Sequence, residues 1–174
     1  MSETITFSYT DGSMTICLDE FFPCSMERLD KLLDAVADTL DLSAAEQTRA
    51  KMAAHCQDRA RDLEEKLPGL QRMADGAMTS VRIAEKQLRE TQARIRELML
   101  DLKKKKDLVT RKKIRDQADV MRQLRDSQKR TLKSAKEYAY QTAKERAVAA
   151  NNAERLRKCR ERILTWEKRK RTNW

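Results

Sequence analysis

Leu88-Arg89-Glu90-Thr91-Gln92-Ala93-Arg94-Ile95-Arg96-Glu97-Leu98-Met99-Leu100-Asp101-Leu102 sets Leu88, Thr91, Ile95, Leu98 and Leu102 at alternating steps of three and four. That is the spacing of a coiled-coil seam, where residues 3.5 apart on average return to one helix face. Followed backwards, the same phase takes in Ala53, Cys56, Ala60, Leu63, Leu67, Leu70, Ala74, Ala77, Val81 and Ala84. Thr91 is the one position in the series that is not apolar. Pro68-Gly69 falls inside it, a pair that normally ends a helix. The phase is unchanged on either side, at Leu67 and Leu70, so one continuous, kinked helix is expected. Its start is read at Ser43-Ala44-Ala45-Glu46, which fits a capping box.

The seam lapses after Leu102, in Lys103–Lys106, Asp107 and Arg111–Lys113. A second helix is read from about Ile114, with seam positions Ala118, Met121, Arg125, Gln128, Leu132, Ala135, Ala139, Thr142, Arg146, Ala149, Ala153, Leu156, Arg160 and Ile163. Arms of 44–106 and 112–170 would be ~95 Å and ~88 Å long, and matched arms favour an antiparallel hairpin. Side-chain size agrees. In one register Leu63 faces Ala153, Ala60 faces Leu156, Ala84 faces Leu132, Val81 faces Ala135 and Leu98 faces Ala118, small opposite large. Cys56 and Cys159 come close in that register. Leu70 then meets Arg146 and Thr91 meets Arg125, which weakens the seam there. The alternative is a continuous rod that forms a homodimer, because the turn lacks Gly, Pro and Asn.

Residues 1–42 differ from the rest. Ile5, Phe7 and Tyr9 alternate with polar residues, Asp11-Gly12 supplies a turn, and Met14, Ile16 and Leu18 alternate again. This reads as a β-hairpin with one apolar face. A helix follows Phe22-Pro23-Cys24, with Ser25 as N-cap and Leu29, Leu32, Leu33, Val36 and Leu40 as its apolar stripe. Two strands alone are marginal in water, so the helix must cover them. The fold class is therefore mainly α: a long antiparallel two-helix coiled coil (43–174) with a small N-terminal ββα head (1–42).

Charge carries the functional signal. The head holds nine acidic residues against Arg28 and Lys31, a net of −7, while the whole chain is +10, which leaves +17 on residues 43–174. The basic residues cluster. One group is Lys103, Lys104, Lys105, Lys106, Arg111, Lys112 and Lys113; the other is Arg155, Arg157, Lys158, Arg160, Arg162, Lys168, Arg169, Lys170 and Arg171. Clustered Lys and Arg release counterions from nucleic acid, which gives affinity without sequence preference. Trp166 and Trp174 flank the last basic run, where they could stack on bases. Two plainer readings compete. Coiled-coil flanks are charged for solubility, and a returning C-terminal arm would lie against the acidic head and pair with it.

Other chemistry finds little support. Cys17, Cys24, Cys56 and Cys159 form no C-x-x-C pair, and His55 is the one histidine, so neither a zinc site nor any other cofactor is expected. No nucleophile set, phosphate loop or paired-carboxylate pocket can be assembled, so no catalysis is expected. His55 reads as structural. Met1–Phe7 has neither a basic start nor an apolar run, and nothing approaches the ~20 apolar residues of a membrane span. Free thiols suit a reducing, intracellular and cytoplasmic setting.

A small acidic β-hairpin head on a basic helical hairpin resembles, in general form, the short accessory proteins of phages and mobile elements. Some of those inhibit host nucleases or nucleoprotein defence complexes. No motif carries the resemblance and no residue role transfers. Two functions are expected from these readings. One is a non-enzymatic protein whose basic surfaces engage nucleic acid or a nucleoprotein complex. The other is a protein-binding inhibitor or adaptor, of anti-CRISPR or other anti-defence type, that sits on an acidic or nucleoprotein partner. A structural spacer is the bland third.

Overall fold

The computed structural model describes residues 3–9 and 12–167. The order is β1 (Thr4–Tyr9), β2 (Gly12–Cys17), α1 (Leu18–Phe21), α2 (Met26–Thr39), α3 (Leu42–Lys104) and α4 (Leu108–Thr165). α3 and α4 pack against each other as a helical hairpin, so the chain turns back and is not a continuous rod. Two compact units are present, Met1–Pro68 with Ala147–Trp174, and Gly69–Arg146.

In the first unit β1 and β2 pair antiparallel from Thr4 opposite Cys17 to Tyr9 opposite Gly12. The expected turn at Asp11 and the side chains of Phe7, Tyr9 and Met14 lie outside the described residues. Leu18 does not extend β2. It opens α1, donates its N–H to the Glu3 carbonyl at 2.9 Å and is buried. Ser25 caps α2, its hydroxyl accepting from the Arg28 N–H at 3.3 Å. The α2 stripe is buried at Leu29, Leu32, Leu33 and Val36, with Leu40 at the edge.

This core is shared with the coiled-coil arms. Met52, Ala53, Cys56 and Ala60 of α3, and Leu156, Cys159 and Ile163 of α4, join Ile5, Leu18 and the α2 stripe in one cluster. Each large apolar side chain buried there contributes about 2 kcal/mol by the hydrophobic effect. Small residues on the arms, Ala53 and Ala60, let the three layers approach.

The start of α3 differs from expectation. The cap is Asp41, whose carboxylate accepts the Ala44 N–H at 2.8 Å, and Ser43 is already helical. A carboxylate adds favourable charge at the positive end of the helix, which a serine hydroxyl does not. α3 runs unbroken through Pro68. α4 begins at Leu108, earlier than the expected Ile114, because Asp107 caps it.

All of the α3 seam positions named from sequence are buried or half-buried. On α4 Arg146 is the exception: it is exposed, as a long charged side chain must be when no acid faces it. Between the fully buried seam residues Leu156 and Ile163, Cys159 is fully buried and Arg160, the residue read as the seam position, is half-buried beside it.

Within Gly69–Arg146, Ala77, Val81 and Ala139 form a cluster with Leu132 and Ala135 packed against it, as the small-opposite-large register requires. Thr142 is buried, and its hydroxyl donates to the carbonyls of Tyr138 and Ala139 at 3.1 Å. One flank of the seam is stitched by the Lys136–Glu85 ion pair at 2.9 Å, and by Arg122 near the Met99 sulfur at 3.6 Å. In the first unit Arg157 reaches Glu64 at 2.6 Å. Each of these six residues directly follows a seam residue. In an antiparallel pair such positions on the two helices share one side.

Cys24, Cys56 and Cys159 meet in the core of the first unit, where the Cys159 thiol donates to the Cys24 carbonyl at 3.8 Å. Burial pushes the Cys56 thiol up to about 12. The hydrogen bond with Cys159, reinforced by burial, pushes Cys24 up as well. The same hydrogen bond draws the Cys159 thiol down, so it is burial that shields all three, and a thiol reagent at neutral pH is expected to titrate Cys17 in the folded protein and all four cysteines in denaturant. Rapid native reaction of more than one would show that this core opens.

Candidate nucleic-acid interface

The hairpin turn is three residues long, Lys105 to Asp107. The Lys105 N–H still bonds the Asp101 carbonyl at 3.1 Å, closing α3. Asp107 Oδ2 accepts the Thr110 N–H at 2.7 Å, and the Arg111 N–H bonds the Asp107 carbonyl at 3.0 Å, opening α4. The Thr110 hydroxyl and N–H hold the Asp107 carboxyl below the usual carboxylate range. A short turn with a carboxylate cap needs no glycine.

Around it stand seven basic side chains. Lys103, Lys104, Lys105, Lys106, Lys112 and Lys113 are exposed and Arg111 is half-buried. Among the described residues none of them forms a side-chain ion pair. Helix electrostatics divides them. Lys103 and Lys104 sit in the last turn of α3, where the negative end of the helix dipole favours a cation. Arg111 closes the first turn of α4, where the same dipole disfavours a cation, and Lys112 and Lys113 follow in the second turn. The Arg111 charge does not serve helix stability, and an external anion would relieve it. Arg115, one turn beyond Arg111, is also exposed and adds to the group. The sequence reading passed over it, although an i, i+4 step from Arg111 was a readable signal.

The C-terminal group is arranged differently. Arg162 makes a two-pronged bond to Asp30 of α2 at 2.7 and 3.0 Å, which with Asp34 nearby raises the hold on its proton. Arg157 pairs with Glu64, and Lys158 with Glu154 at 2.6 Å. Arg160 is half-buried and lines a groove of about 640 Å³ with Gln57, Arg61, Glu161 and Leu164. Arg155 is exposed. Trp166 was expected to stack on bases. It is instead buried in the core of the first unit, with the Arg49 guanidinium 5.5 Å from its ring centre. Lys168, Arg169, Lys170, Arg171 and Trp174 lie outside the described residues.

The acidic head thus finds partners on the arms. Asp30 binds Arg162, Asp19 binds Arg59, and the Glu3 carboxylate accepts from His55 Nδ1 at 3.0 Å. His55 is buried beneath Phe22. Among the described residues no group of His, Cys, Asp and Glu is arranged to hold a metal ion, and no helix is long and apolar enough to cross a membrane.

Compared with protein-family models, curated proteins and solved structures, the chain matches none.

Proposed function

We propose that this is a non-enzymatic coiled-coil binding protein that engages nucleic acid, free or within a nucleoprotein complex, through the tip of its helical hairpin. One observation carries the reading. Seven basic side chains crowd a three-residue turn with no acidic partner among the described residues, and one of them, Arg111, stands at a helix end that disfavours it. Cys24, Cys56, Cys159 and His55 are buried, which supports a role without catalysis. The C-terminal basic run is the weaker half of the surface, because Arg157, Lys158 and Arg162 are tied to carboxylates.

The test is the salt dependence of binding to a DNA duplex or an RNA hairpin, read by fluorescence anisotropy. Each phosphate contact adds about 0.9 to the slope of log affinity against log salt on duplex DNA. Changing Lys103–Lys106 to Gln should make that slope shallower by up to four contacts, with helicity unchanged. Changing Arg111, Lys112 and Lys113 should add a further loss. Arg162→Gln should lower stability and leave the slope alone. No binding at about 50 mM salt, a condition that favours such contacts, would reject the proposal.

A second reading, an adaptor or inhibitor that acts on a protein partner, draws on exposed apolar side chains within Gly69–Arg146, among them Met73, Ile83 and Tyr138.

A further inference from the structure

The two flanks of the seam within Gly69–Arg146 are chemically unlike. From Gly69 to Gln87 on α3 and from Thr131 to Gln141 on α4, stretches that face each other in the antiparallel register, every residue that immediately precedes a seam residue is uncharged; nearer the tip the α3 side carries Glu90, Arg94 and Glu97. Most residues that immediately follow one are charged, and Glu85, Lys136 and Arg122 on that side bridge the helices. Heptad geometry puts the preceding positions of both helices together on the other side. So the bridged flank is finished, and the opposite flank holds an uncharged strip between Gly69–Gln87 and Thr131–Gln141 in a chain that is 38% charged.

That strip is open. Met73 is 47% exposed, Ile83 53% and Tyr138 55%. It also holds Gly69 and Gly76, seven residues apart and so on one line of the helix. Neither has a positive φ, and a Cβ at either would meet nothing within 4 Å. A glycine inside a helix weakens it relative to alanine. Nothing inside the protein requires these two, so what requires them approaches from outside. Glycine on an exposed helix line admits close backbone approach.

The charges bordering the strip decide the partner. Arg72, Lys86, Arg130 and Lys144 lie at its outer edges, with Glu137 opposing them, and Gly69–Arg146 as a whole has 22 basic against 11 acidic residues. A second copy would bring like charge against like charge. A nucleic acid would find no cation on the floor of the strip and would leave Met73 and Ile83 against phosphate. We propose that this flank docks one amphipathic helix of an acidic protein partner, which lies between α3 and α4 as the third helix of a bundle. Its apolar stripe would cover Met73, Ile83 and Tyr138, and its acidic borders would meet Arg72, Lys86, Arg130 and Lys144. This surface is separate from the tip and does not depend on nucleic-acid binding there.

The experiment uses the full chain and a displayed library of helices about four heptads long, with apolar a and d positions and Glu, Gln or Lys randomised at the flanks. Enrichment of Glu-rich helices is expected. Ile83→Glu and Gly76→Leu should each weaken the selected peptides by about tenfold or more, the loss expected at a buried contact. Met78→Glu is the control, because Met78 is also 47% exposed but follows its seam residue and lies on the bridged flank. It should leave affinity within about twofold, and circular dichroism should match wild type for all three. Enrichment of Lys-rich helices, no enrichment at all, or equal loss with Met78→Glu would overturn the proposal. So would a DNA duplex whose binding is abolished by Ile83→Glu, since the strip would then belong to nucleic acid.

Discussion

Leu156→Asp is expected to unfold the N-terminal unit. Leu156 is 1% exposed and belongs to the cluster that joins α2, α3 and α4, with Leu33, Ala60 and Ile163. Truncation to Ala would leave a cavity and cost about 2–5 kcal/mol. Asp adds an unpaired charge to the same hole, a further cost of several kcal/mol. Domains are stable by about 5–15 kcal/mol, so the sum approaches the whole of it. Urea denaturation followed by circular dichroism checks this. Leu164→Asp is the comparison, because Leu164 is 59% exposed two turns further along the same helix and should shift stability by about 0.5 kcal/mol or less. Equal midpoints for wild type and Leu156→Asp would mean that the end of α4 is not packed on the head.

Leu98→Asp is expected to do the corresponding damage within Gly69–Arg146. Leu98 is 4% exposed near the tip, and Ala118, read from sequence as its opposite number, is 1% exposed. No basic seam residue stands where an aspartate at 98 could reach it without leaving the seam, so burial of the charge should cost about 3 kcal/mol or more. Leu100→Asp, two residues away and 55% exposed, should be nearly silent. Because the tip turn depends on α3 and α4 meeting there, Leu98→Asp should also weaken tip-dependent nucleic-acid binding, whereas Leu100→Asp should not. An unaltered melting temperature for Leu98→Asp would show that the seam at this level is open to solvent.

The seam could be read from sequence because one spacing recurs from Ala53 to Leu102, and every one of those positions is at least half-buried. Small-opposite-large pairing gave the antiparallel register for the same reason: alanine leaves room that only a larger side chain can fill. The helix ends were harder. At α3 both Asp41 and Ser43 offer an oxygen to a free N–H, and periodicity cannot rank them. At α4 the first turns carry Leu108 and Val109 exposed, at 80% and 65%, so the apolar pattern does not report where the helix begins. α1 was missed because Leu18 continues the alternation of β2 while its backbone turns helical. For the candidate interface, composition identified the basic residues but not their neighbours. The bond between Arg162 and Asp30 joins positions 132 apart, and the burial of Trp166 depends on α4 returning to Arg49. Neither is a local property of the chain.

The shared core of the first unit has a consequence for synthesis. The head is made before the arms, yet Leu156, Cys159, Ile163 and Trp166 belong to its core and follow it by more than a hundred residues. While the chain emerges from the ribosome, Leu29, Leu33, Val36, Cys24 and Cys56 have part of their packing and lack the rest. The tip has no such delay. Its partners are separated by the Lys105–Asp107 turn, so α4 can zip onto α3 from the tip as it is translated. The head is then the last part to settle although it precedes both arms, and any stop before the end of α4 releases a chain with the apolar surface of the head still uncovered.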